Sequence, residues 1–181
     1  MTGDLRTPFE REALPHMGAV YNVARRLTRH EADARDLVQD AFLRAFQHFD
    51  SFTTGTNCRA WLFTITYSVF VNRYRRQQRQ PALVAADELG WSLDDRAVDR
   101  RSLPPTTPAR ATAAADVESA LAELPDDFRA AIVLVDLEDL TYEDAAAVLD
   151  CPVGTVRSRL FRARKHLAER LRGYDLAQRK R

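Results

Sequence analysis

Residues 144–171 read DAAAVLDCPVGTVRSRLFRARKHLAERL, and no other stretch restricts the fold as much. It holds two helical patterns around a break at Asp150-Cys151-Pro152. The second pattern carries an apolar stripe at Val153, Val156, Leu160, Ala163, Leu167 and Leu171. Spacings of three and four place these on one helix face. The remaining faces are crowded with cations from Arg157 to Arg170. A helix seated by one face and cationic elsewhere has the form of a major-groove reader, and the short break gives the helix-turn-helix layout. Thr141 is placed to cap the first helix, with Asp144 in its first turn.

Angles sharpen that reading. At about 100° per residue, the side away from the stripe presents Thr155, Ser158, Phe161, Arg162 and Lys165. Phe161 is thus an aromatic on the wet side. Phenylalanine packs on a thymine methyl, arginine reads guanine, and serine reads either base type. Arg157 and Arg164 flank one edge and Arg159 the other, where phosphates are expected. Gly154 permits close backbone approach.

The formal net charge of +1 conceals strong local polarity. Residues 111–151 hold eleven acids and one base, whereas 152–181 hold ten bases and two acids. Residues 59–80 hold five arginines and no acid. Such blocks point to nucleic acid where the global charge does not. Two cysteines, Cys58 and Cys151, form no CxxC pair and fit a reducing compartment. The apolar runs are too short to span a membrane, and the first residues lack the apolar core of a signal peptide.

Helical pattern fills 8–80 and 113–173. Between them, 81–112 holds Pro81, Gly90, Pro104, Pro105 and Pro108 in a polar string, and reads as a linker. A basic tail, 174–181, closes the chain. No period-two stretch predicts a strand, so the expectation is an all-α chain of two small helical domains joined by a flexible linker.

In the first domain, Ala34, Leu37, Val38, Ala41, Phe42, Ala45 and Phe49 form a core face. The opposite face carries Asp36, Gln39, Asp40 and Leu43, which on pattern alone is an ordinary solvated face. The next helix begins near Cys58. Its first half, AWLFTITYSVFV, is apolar nearly all round and predicts a central, buried helix that includes Trp61. Its second half turns basic at Asn72, Arg73, Tyr74, Arg75 and Arg76, a platform for phosphate and unstacked bases. The preceding loop, Ser51 to Asn57, is rich in small hydrogen-bonding residues of the kind that line a flipped-base pocket.

Taken together, DARDLVQDAFLRAF, NCRAWLFTITYSVFVNRYRR and the 120–167 segment resemble the extracytoplasmic-function group of bacterial RNA polymerase sigma factors. The motifs occur in that family's order and spacing. The resemblance implies a promoter-specificity subunit acting in a stress or environmental response, without catalysis, cofactor or metal. It assigns Asp36, Gln39, Asp40 and Leu43 to the β′ clamp helices of core polymerase, replacing the solvated-face reading. It assigns Asn57, Asn72, Arg73, Arg75 and Arg76 to the single-stranded −10 element. It assigns Tyr142, Glu143, Thr155, Arg157, Ser158, Arg159, Phe161 and Arg162 to the −35 duplex. The implied partners are core polymerase, promoter DNA and an anti-sigma factor, in the cytoplasm, without homo-oligomerisation. The GTNCRAWLF stretch is similar to a subgroup often held by zinc-containing, redox-sensing anti-sigma factors.

Two other classes give different expectations. A homodimeric helix-turn-helix regulator predicts a self-association surface, but leaves the 36–49 helix and the aromatic-basic 58–80 helix unexplained. An enzyme predicts a catalytic cluster. His16, His30, His48 and His166 lack metal-ligand spacing, and there is no phosphate-binding glycine loop.

Overall fold

The computed structural model describes residues 6–78 and 113–178. The predicted linker, 81–112, lies outside the described residues, as do 179–181 of the tail. The described chain is all helix and turn, with no strand among the described residues.

The first body contains α1 (Arg6–Ala13), α2 (Met17–Thr28), α3 (Glu31–Gln47) and α4 (Cys58–Gln78). The face predicted for α3 is the one buried: Ala34, Leu37, Ala41 and Ala45 have almost no exposed surface. Small residues at these positions let α3 lie close to α2 and α4. Burial of Leu62, Phe63, Val69 and Phe70 makes α4 the central helix. Thr66, fully buried among them, donates its hydroxyl to Leu62 O at 2.8 Å, so no polar atom is orphaned there. Trp61 packs against Phe52 and Phe49, with ring centroids 5.0 and 6.3 Å away. It is part of the core, as the apolar neighbours predict.

The second body contains α5 (Ala113–Glu123), α6 (Asp126–Ile132), α7 (Tyr142–Leu149) and α8 (Val153–Gln178). Thr141 accepts the Asp144 amide at 3.0 Å and caps α7. The helix then stops at Asp150, in the left-handed region at φ 49°, and Pro152 opens α8. Val156, Leu160 and Ala163 of the predicted stripe are buried, and Val153, Leu167 and Leu171 are half-buried. α8 runs on through Gln178, so the helix enters the stretch read from sequence as tail. Periodicity did not disclose that α6 widens into a π-turn over Val133–Leu137. That turn adds a residue to the helical pitch, which re-aims the side chains after it.

The two bodies are docked. α2 meets α5 and α6, and α4 meets α7. Several polar bonds cross the contact. Arg129, 1% exposed, donates to Leu124 O at 2.8 Å within its own body and to Leu27 O at 3.1 Å in the other, and also bonds Asp126. Arg26 and Arg25 reach Glu118 at 3.0 and 3.3 Å. Arg59 donates to the Glu138 carbonyl and forms an ion pair with its carboxylate at 3.8 Å. Burial pushes the Glu138 carboxyl above its ordinary range, against the opposing pull of Arg59 and Arg26.

Candidate nucleic-acid interface

α8 is seated by its buried stripe against α5, α6 and α7, which leaves the opposite side free. Phe161 is 72% exposed, the most open of the large apolar side chains among the described residues. Arg157, Ser158 and Arg162 are exposed around it, and Thr155 is half-buried. Ser158 donates to Thr155 O at 2.9 Å, which fixes its hydroxyl on the outer face. From α7, Glu143 stands exposed, and the half-buried Tyr142 lies beneath Arg157, whose guanidinium carbon is 5.9 Å from the ring centroid. The residues predicted for the −35 duplex are therefore gathered on one side of the second body.

The cations expected at the edges are not all free. Arg159 is tied to Asp127 at 2.7 Å, with its Nη1 3.8 Å from Cys151 Sγ. Arg164 makes a two-pronged contact with Asp136, at 2.9 and 2.6 Å. The acidic block of 111–151 thus serves partly to hold the basic block of α8. Charge counting detected both blocks without revealing that they pair.

On the first body, Asp36, Gln39 and Leu43 are exposed and Asp40 is half-buried. Leu43 is 55% exposed and Phe46, three residues on, is 41% exposed. An acidic face carrying open apolar side chains suits a basic, partly apolar partner. Asp40 is joined to Arg73 of α4 at 2.6 Å, so two residues predicted for different partners touch each other. Asn72 and Arg73 are exposed at the end of the described α4 side chains. The side chains of Arg75 and Arg76 lie outside the described residues.

The 53–57 loop is fully exposed. Gly55 turns it at φ +89°, a conformation open to glycine. Asn57 caps α4 by accepting the Ala60 amide at 3.0 Å. That cap fixes the loop against the first turn of the helix.

Neither cysteine has the setting of a reactive thiol. Burial, followed by the charge of Glu12, pushes Cys58 up to about 11, and burial raises Cys151 despite Arg159. We expect iodoacetamide at neutral pH to leave Cys58 unmodified until denaturant is added. Rapid labelling of the native protein would contradict this. Tyr67, half-buried and facing Asp127, is pushed up to about 12 by desolvation and then by that carboxylate. Among the described residues no cluster of His, Cys, Asp or Glu is arranged to hold a metal ion.

Two family models match: Sigma-70 region 2 over residues 14–80 and Sigma-70 region 4 over 114–167. A sigma factor named SigE from Mycolicibacterium smegmatis is 36% identical over 86% of this chain. This chain is an extracytoplasmic-function sigma factor. It spans 58% of the length of that mycobacterial relative, and 88% of the sigma-H factor of Pseudomonas aeruginosa, which is 32% identical over 93% of this chain. Among solved structures, a sigma factor RpoE bound to the anti-sigma factor NepR from Bartonella quintana superposes with a TM-score of 0.70. It is 31% identical and covers 92% of this chain and 98% of its own. CnrH bound to the cytosolic domain of CnrY gives 0.63 at 28% identity, over 93% of this chain and 90% of its own. The likeness extends over both bodies. Sigma factors initiate transcription, and the second body is the sigma factor's DNA-binding region 4.

Proposed function

We propose that this sigma factor docks on the β′ clamp helices of core polymerase through Asp36, Gln39, Asp40 and Leu43. It holds the single-stranded −10 element with Asn57, Asn72, Arg73, Arg75 and Arg76. It reads the −35 duplex with Tyr142, Glu143, Thr155, Arg157, Ser158, Phe161 and Arg162. Arg159 joins that set at its edge, with Asp127 as the competitor for phosphate. The observation that carries the reading is Phe161, 72% exposed on a cationic helix whose other side buries Val156, Leu160 and Ala163. The chain supplies no catalysis of its own and acts in the cytoplasm, under an anti-sigma factor that releases it in a stress or environmental response. Among the described residues no helix is long and apolar enough to cross a membrane.

The docked arrangement has a consequence under this reading. By their names the two promoter elements lie about 25 base pairs apart, or about 85 Å of duplex. A compact chain of this length has a radius of gyration of about 16 Å and a breadth of about 40 Å. The docked form is too small to occupy both elements, so the bodies part on promoter binding. The undescribed residues between Gln78 and Ala113 reach about 110 Å when extended, enough for that separation. The likeness to sigma factors held by anti-sigma factors supports the docked form as the one an anti-sigma factor keeps.

A run-off transcription assay with core polymerase tests the whole reading. Promoter-dependent transcript is expected, and its absence from every candidate promoter rejects it. Within that assay, Arg162→Ala should cost about 1–3 kcal/mol at the base it reads and leave core binding unchanged. A fall in core binding would refute the division of labour between the two bodies.

A further inference from the structure

The first body turns a cationic face to the second. Arg25 and Arg26, in the last turn of α2, and Arg29, its C-cap, carry most of it. A single oxygen, Glu118 Oε1 of α5, accepts Arg25 Nη2 at 3.3 Å, Arg26 Nε at 3.2 Å and Arg26 Nη2 at 3.0 Å. Arg29 Nη1 donates to Ala122 O at 3.3 Å. Arg59 of α4 donates to Glu138 O, and the Tyr67 hydroxyl donates to Asp127 at 3.5 Å. Each of these bonds runs from the first body to the acidic block of the second. The Arg129 bond to Leu27 O runs the other way. The recess around Glu118, about 170 Å³, is lined by four arginines and that one carboxylate, with Leu121 and Ala122.

These guanidiniums have more donors than the second body has acceptors for them. Each carries several N–H groups, and Arg25 and Arg29 each make a single bond here. The Arg25–Glu118 pair is also half-exposed, at 45% and 36%, and such pairs hold weakly. A phosphate group takes guanidiniums in bidentate, charge-assisted bonds and can replace the carboxylate. Resting on the parting of the two bodies on promoter DNA, we propose that Arg25, Arg26 and Arg29 form a phosphate-binding surface for duplex DNA, which Glu118 occupies until the bodies part. The duplex between the two promoter elements is the backbone at hand, since the −10 and −35 assignments leave it without a contact. The cationic face is spread over two helices, α2 and α4, which suits a line of phosphates better than one small anion. Contacts of this kind position the protein and carry no base information. Docking and duplex binding then use the same guanidiniums, so duplex favours the open form.

The test is binding of the full chain to a fluorescent duplex that lacks both promoter elements, followed by anisotropy over a range of salt. The logarithm of affinity falls against the logarithm of salt with a slope of about 0.9 per phosphate contact. Glu118→Gln keeps the shape and removes the charge that holds Arg25 and Arg26. It should steepen the slope by about two units and tighten binding at low salt. Adding Arg25→Gln and Arg26→Gln to Glu118→Gln should take both units back. Glu31→Gln, which releases Arg35 within α3 instead, should leave the slope nearly as it was. The proposal is overturned if Glu118→Gln does not steepen the slope, if the gain survives the loss of both arginines, or if Glu31→Gln gains as much. It is overturned too if inorganic pyrophosphate displaces the duplex at a lower phosphate concentration than unlabelled duplex does, since the face is then a small-anion site. Run-off transcription by the unmodified chain keeps the parent reading separate: absence of promoter-dependent transcript rejects that reading, whereas normal transcript with an unchanged slope in Glu118→Gln rejects this proposal alone.

Discussion

Asp36→Lys combined with Leu43→Asp is expected to abolish promoter-dependent transcription by preventing assembly with core polymerase. Both side chains stand exposed on α3, and Leu43 is 55% exposed. An interface charge and an apolar anchor together are worth about 2–5 kcal/mol. Core affinity should therefore fall from about thirtyfold to several thousandfold. The pair is chosen because Asp40 is bonded to Arg73. Replacing Asp40 would also release Arg73, a residue of the proposed −10 platform, and mix two effects. Neither Asp36 nor Leu43 is buried, so folding should be unaffected and the melting temperature should stay within a degree or two. Core affinity measured by fluorescence anisotropy decides the outcome. Undiminished binding would place the docking surface elsewhere.

The sequence discloses much of this because helical periodicity is a local property. The α8 stripe, the α3 face and the Thr141 cap depend on residues within a few turns of one another, and each is found where spacing places it. The outward Phe161 is equally legible, since an aromatic opposite a seated stripe has nowhere else to face. What periodicity misses is contact between distant segments. Arg129 reads as a lone base in an acidic block, yet it is buried and bridges residues about a hundred positions apart. Arg159 and Arg164 read as free edge cations and are found paired with Asp127 and Asp136. The π-turn leaves no mark in a hydrophobic pattern, because inserting one residue between Leu134 and Leu140 shifts direction without changing which residues are apolar. The functional assignments came from the order of motifs across both bodies, since any one helix-turn-helix serves many proteins.

Arg129→Met should have the other large effect, on both stability and the docked arrangement. The arginine is 1% exposed and bonds two backbone carbonyls, one in each body, as well as Asp126. Methionine fills similar volume but donates nothing, so Leu124 O and Leu27 O lose their arginine donor in a buried setting. Breaking a buried charged network by removing one partner costs about 3–5 kcal/mol. Part of that loss falls on the second body, through Leu124 and Asp126, and part on the docking, through Leu27. Glu118→Arg separates the two. Glu118 is half-buried, faces Arg25 and Arg26, and shares its recess with Arg29 and Arg129. A further cation placed there repels α2 without disturbing either core. It should raise the radius of gyration in small-angle scattering above the compact value of about 16 Å, while each body keeps its own melting behaviour. Arg129→Met should do both, expanding the particle and lowering the melting temperature. If Arg129→Met lowers stability while scattering stays compact for both variants, the polar bonds do not hold the bodies together, and the contact of α4 with α7 must do so.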